Sequence, residues 1–85
     1  MDVTIKVPEY TLSSGIKFNW EDGFEIKIGM ENGSIVIAAN EAGLRSLANH
    51  LLNLAQLSVP VGSHIHLDAH NSLEEGSVEL VISKE

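Results

Sequence analysis

Phe24-Glu25-Ile26-Lys27-Ile28-Gly29-Met30-Glu31, then Asn32-Gly33, then Ser34-Ile35-Val36-Ile37-Ala38-Ala39: this stretch decides the fold. Before the turn, apolar residues alternate with polar ones, the pattern of a half-buried strand. Asn-Gly is the strongest short hairpin signal, because both residues tolerate a positive φ. A two-residue turn pairs Met30 with Ile35, Ile28 with Ile37 and Ile26 with Ala39. The apolar faces then coincide. A slip of one residue would turn the whole set outward, so the pattern selects the register.

Toward the N-terminus, Ile16, Phe18 and Trp20 alternate with Lys17 and Asn19. Glu21-Asp22-Gly23 separates them from Phe24. A three-residue loop with Gly23 in the left-handed position pairs Trp20 with Phe24, Phe18 with Ile26 and Ile16 with Ile28. That predicts a three-stranded antiparallel meander. Further back, Val3, Ile5 and Val7 read as another half-buried strand, stopped by Pro8. Tyr10 and Leu12 would cover a core edge.

Toward the C-terminus, Asn40 is a good helix N-cap, and Glu41 suits the positive end of the helix dipole. The spacing predicts a helix over about 41–57, with Leu44, Leu47, Ala48, Leu51, Leu52, Leu54 and Ala55 as its apolar stripe. Arg45, Asn49, Asn53 and Gln56 mark a wet side, and His50 is expected at the rim. Gly43 would permit close packing on the sheet. Val59-Pro60-Val61-Gly62 turns the chain. Ile65 and Leu67 then alternate with His64, His66 and Asp68, and Val78, Leu80 and Ile82 alternate with Glu79 and Val81. These read as a hairpin with a long loop. The expected fold is one α+β domain over residues 1–85: a single antiparallel β-sheet of five or six strands with one α-helix packed on one face.

Composition narrows the function. The chain has 85 residues, enough for one modest core and little more. Hydrophobic residues make up 44% and aromatics 5%, so Ile, Val, Leu and Ala must fill that core. Twelve acidic residues against five basic ones leave a formal charge of −7. That argues against nucleic acid and against an anionic membrane surface, both of which attract basic patches. It fits simple solubility or a basic protein partner. There are no cysteines, so disulfides and thiol catalysis are excluded. The first residues lack the basic and apolar regions of a signal peptide, and no apolar run approaches the ~20 residues of a membrane span. A cytoplasmic location is expected.

The most suggestive chemistry lies in His64-Ile65-His66-Leu67-Asp68-Ala69-His70. Alternate strand residues share a face. His64, His66 and Asp68 would therefore stand together, with His70 at the strand end, and such a set can ligate zinc or a similar metal. The run partly resembles the HxHxDH motif of metallo-β-lactamase-type hydrolases. Ala69 interrupts it, and no distant ligands follow. The plainer reading is the polar outer face of a strand whose Ile65 and Leu67 point inward. Trp20 is read as core, with an interface anchor as its alternative. Glu21, Asp22, Glu31, Glu74 and Glu75 fall on turns. Gathered at one end of the sheet, they would form a negative rim for a basic protein. No serine has the glycine-elbow context of a nucleophile, and no phosphate-cradling glycine motif is present. No catalytic residue and no cofactor is assigned.

Asn40-Glu41-Ala42-Gly43-Leu44-Arg45-Ser46-Leu47-Ala48 with Leu51-Leu52, Gly62-Ser63-His64-Ile65-His66-Leu67-Asp68 and Ser77-Val78-Glu79-Leu80-Val81-Ile82 together resemble the immunity protein 32 family of bacterial polymorphic toxin systems, over about residues 35–84. The resemblance implies a cytoplasmic, non-enzymatic protein that neutralises a cognate toxin by direct binding. Glu21, Asp22, His64, His66, Asp68, Glu74 and Glu75 are the candidate partner-binding residues. One alternative is a metal-binding domain or small metalloenzyme using His64, His66, Asp68 and His70. Another is a structural homo-oligomer, such as a homodimer, that covers Val36, Ala38 and Val81 on the second sheet face.

Overall fold

Asn32 and Gly33 take φ values of 50° and 81° in the computed structural model, which describes residues 1–85. Two successive positive φ values make a turn whose twist matches that of paired strands. It joins β1 (Ile26–Glu31) to β2 (Ser34–Ala39). The pair is antiparallel, with Met30 opposite Ile35, Ile28 opposite Ile37 and Ile26 opposite Ala39, the register read from the pattern. α1 (Glu41–Leu54) follows at once, capped by Asn40, whose Oδ1 accepts from Gly43 N–H at 2.8 Å. The same side chain accepts from Glu25 N–H at 3.0 Å and donates to Gly23 O at 2.8 Å, so one residue ties the helix start to the entry of β1. The helix ends at Leu54, three residues before the expected 57. Lys84 Nζ closes the far end, donating to Gln56 O and Val59 O at 2.7 Å each.

β3 (His64–Leu67) and β4 (Leu80–Ser83) form a second antiparallel pair, with Ile65 opposite Ile82 and Leu67 opposite Leu80. The single sheet of five or six strands is not formed. There are two separate two-stranded sheets, and no strand precedes Ile26. The expected strands over Val3–Val7 and Ile16–Trp20 are irregular chain, with one isolated bridge between Thr11 and Gly15.

The reason lies at the open edge of β1. The meander required Ile16–Trp20 to pair there, but residues 74–78 already occupy it. Glu74 N–H donates to Ile26 O at 2.8 Å, and Val78 N–H donates to Ile28 O at 2.7 Å. Ile28 N–H is taken by the Ser77 hydroxyl at 3.1 Å, a side chain standing in for a ladder carbonyl. The turn at Glu21–Phe24 does form, through Phe24 N–H to Glu21 O at 3.1 Å. Trp20 and Phe24 meet as stacked rings 4.6 Å apart rather than as ladder partners.

The displaced N-terminal segment finds its polar partners on α1 and just past its end. Asn49 Nδ2 donates to Lys6 O at 2.9 Å, Gln56 Nε2 to Pro8 O at 3.0 Å, and Asn53 Nδ2 to Lys17 O. Glu21 N–H donates to Ser46 Oγ at 2.9 Å. The side expected to be wet is therefore partly buried: Asn49 and Asn53 are buried, as are Ser46 and the rim residue His50, while Leu44, Leu51 and Leu52 of the expected apolar stripe are about half exposed. An irregular segment has backbone groups to satisfy, and amide side chains supply them where aliphatic ones cannot. The core joins all layers. Ile26 and Ile28 from β1 meet Leu67 from β3 and Leu73, with Trp20, Phe24, Leu47 and Leu80 packed around them.

Candidate partner-binding surface

β3 holds Ile65 and Leu67 in the core, so its alternation turns His64 and His66 outward. Their rings meet edge to face at 4.9 Å. His66 Nδ1 lies 3.9 Å from Glu79 Oε2, an ion pair only when the imidazole is protonated. Asp68 and His70 do not extend this cluster. The strand ends at Leu67, and Asp68 opens a turn in which its Oδ1 accepts from His70 N–H at 2.8 Å and Asn71 N–H at 3.1 Å. Its backbone oxygen accepts from Leu73 N–H at 2.9 Å. This carboxylate organises the loop that delivers Leu73 to the core. No three His, Asp or Glu side chains converge in an arrangement able to hold a metal ion.

The acidic candidates differ in their partners. Glu21 is held by Arg45, with Nη2 to Oε1 at 2.6 Å and Nε to Oε2 at 2.8 Å. That bond holds the Glu21 carboxyl below its ordinary value and raises the Arg45 guanidinium. Arg45 also lies 3.9 Å from Glu41. Asp22, exposed beside Glu21, has no such partner. Glu74 and Glu75 are exposed on the turn that covers β1. Glu74 shares an open recess of about 400 Å³ with Glu25, Lys27, Ala38 and Ala39, which places two carboxylates beside the C-terminal end of β2.

Alternation alone did not reveal the most exposed apolar element. Ile37 pairs with buried Ile28 and Ile35 with exposed Met30, and the two are 45% and 64% exposed, because α1 covers only the far end of the hairpin. Val36 on the opposite face is 36% exposed, and Ala38 is exposed beside it. Across the molecule, Leu44, Leu51, Leu52, Val78 and Val81 are also about half exposed. A chain this small has more apolar side chains than its core can hold, and contiguous apolar surface is what partners bury. The one fully buried ionisable group is His50, set edge-on to Trp20 at 4.2 Å and Phe18 at 4.9 Å, with neither ring nitrogen bonded. Its burial marks it as part of the packing between α1 and the N-terminal segment.

No helix is long and apolar enough to cross a membrane. A family model described as immunity protein 32 matches residues 34–85, which run from the start of β2 through β4. No curated protein and no solved structure matches the chain.

Proposed function

Because more than half of the chain is matched, it belongs to the immunity protein 32 family, and on that premise we propose that it neutralises a cognate toxin protein by direct binding in the cytoplasm, without catalysing a reaction. The family match is the observation that carries this reading. The surface supports it: apolar side chains stand exposed on β2 and α1, and the net charge of −7 suits a basic partner. The acidic residues Asp22, Glu74 and Glu75 would steer the approach, and His64 and His66 offer a second polar patch. Glu21 contributes less, since Arg45 already neutralises it.

The test is biochemical. The purified chain is titrated into the toxin domain encoded beside it, and complex formation and toxin activity are both followed. A stoichiometric complex with loss of toxin activity is expected. A toxin whose activity is unchanged by a large excess of this chain would sink the proposal.

A further inference from the structure

The two edges of the β1–β2 hairpin are treated differently. The β1 edge is covered by residues 74–78, down to a serine hydroxyl that replaces a missing carbonyl. The β2 edge is left open. Asn40 N–H donates to Glu25 O at 3.1 Å, which sets the alternation: Ser34, Val36 and Ala38 bond to β1, and Ile35 and Ile37 aim their N–H and C=O groups away from it. No other part of the chain bonds these groups.

Open edges are normally blunted by charge, proline, a bulge or a covering segment. β2 has none of these. Ser34-Ile35-Val36-Ile37-Ala38-Ala39 carries no charge and no proline, it pairs without a break, and no segment bonds to its outer edge. Its six residues match the usual length of one strand partner. From Ile35 to Ala38 its side chains are apolar and exposed on both faces.

The surroundings indicate the occupant. Glu31 lies opposite Ser34 at one end of the strand, and Glu41 follows it at the other. Glu25 and Glu74 border the recess beside Ala38 and Ala39, with Lys27 the one cation there. A second copy would bring the same carboxylates and its own charge of −7 to this edge. An oppositely charged strand would meet attraction at both ends.

We propose that β2 adds a strand from a basic protein partner. The added segment is extended, with alternate apolar side chains packing against Ile35 and Ile37 on one face and Val36 and Ala38 on the other. Lys or Arg residues at its ends are drawn toward Glu31 at one end of the hairpin and Glu41 at the other. Main-chain hydrogen bonds to Ile35 and Ile37 hold it, the mode of strand addition. This rests on the toxin-neutralising reading, and the strand then belongs to the toxin.

Amide hydrogen exchange on the wild-type chain, free and mixed with the toxin domain encoded beside it, tests the edge directly. The Ile35 and Ile37 amides should exchange fast in the free chain and slow by about tenfold or more in the complex. Ile37→Pro removes an outward N–H and spares the Val36 and Ala38 bonds to β1; it should weaken binding by about tenfold or more. Ile35→Lys, which leaves every backbone group in place but sets a cation against a basic strand, should weaken it too. Binding that leaves both amides unprotected, or that both folded variants retain at wild-type strength, overturns strand addition and leaves toxin neutralisation standing. Absence of binding by the wild-type chain overturns both. A free chain that sediments as a dimer with these amides already protected assigns the edge to a second copy and overturns the proposal.

Discussion

His50 shows how far a side chain's surroundings can depart from its polarity. Its ring is fully buried between Phe18, Trp20 and the helix, and burial holds its pKa below the ordinary histidine value. The folded chain resists the proton that the unfolded chain accepts at about pH 6.5. Stability from this site is therefore complete above about pH 6.5 and drains away as pH falls through the depressed folded-state value. His50→Leu, close to it in volume, removes the titration. Urea midpoints followed by the fluorescence of Trp20, the single tryptophan, should drop between pH 7.5 and pH 5.5 for wild type and drop less for His50→Leu. At neutral pH the variant should be as stable as wild type or more so, since neither ring nitrogen has a partner to lose. Equal losses in both chains across that range would show that His50 does not carry the pH dependence.

At the scale of elements, α1 is seated by Gly43. A Cβ there would meet Glu25 O at 2.5 Å and Ile26 Cγ1 at 2.9 Å. Helix propensity favours alanine by about 1 kcal/mol, but a clash with backbone in a packed seat costs about 1–3 kcal/mol. Gly43→Ala should lower the melting temperature by roughly 5 °C, and a rise on thermal unfolding would refute the seat. The hairpin register, the Asn40 cap, the close approach at Gly43 and the β3–β4 pairing were all legible, because each is set by residues near in sequence or by simple alternation. The meander was not. Ile16, Phe18 and Trp20 alternate correctly for a strand, but alternation cannot tell whether the edge they need is free. Ser77 and Glu74, some fifty residues away, had taken it. The wet side of the helix departs from its pattern for a related reason: Asn49, Asn53 and Gln56 look solvated until an irregular segment needs their amides. Within the candidate site, the outward histidines followed from alternation. The Glu21–Arg45 pair and the turn built by Asp68 depended on tertiary contacts that no local pattern carries.

For the whole molecule, charge governs encounter more than affinity. A chain at −7 meeting a basic protein is drawn in by long-range attraction, which salt screens. The association rate with the toxin domain should fall by about tenfold or more between low salt and ~0.5 M salt, while the dissociation rate changes little. Stopped-flow measurements across that range test it; a salt-independent association rate would remove electrostatic steering. The N-terminal segment has a different consequence. Asn49, Asn53 and Gln56 grip the carbonyls of Lys6, Lys17 and Pro8, and a peptide carbonyl is the same in every residue. The grip is blind to sequence. The exposed side chains of Asp2, Thr4, Lys6 and Glu9 can therefore be rewritten at small expense to the fold. This ribbon is a ready graft site, where a reporter or a new recognition sequence can be displayed on an unaltered scaffold.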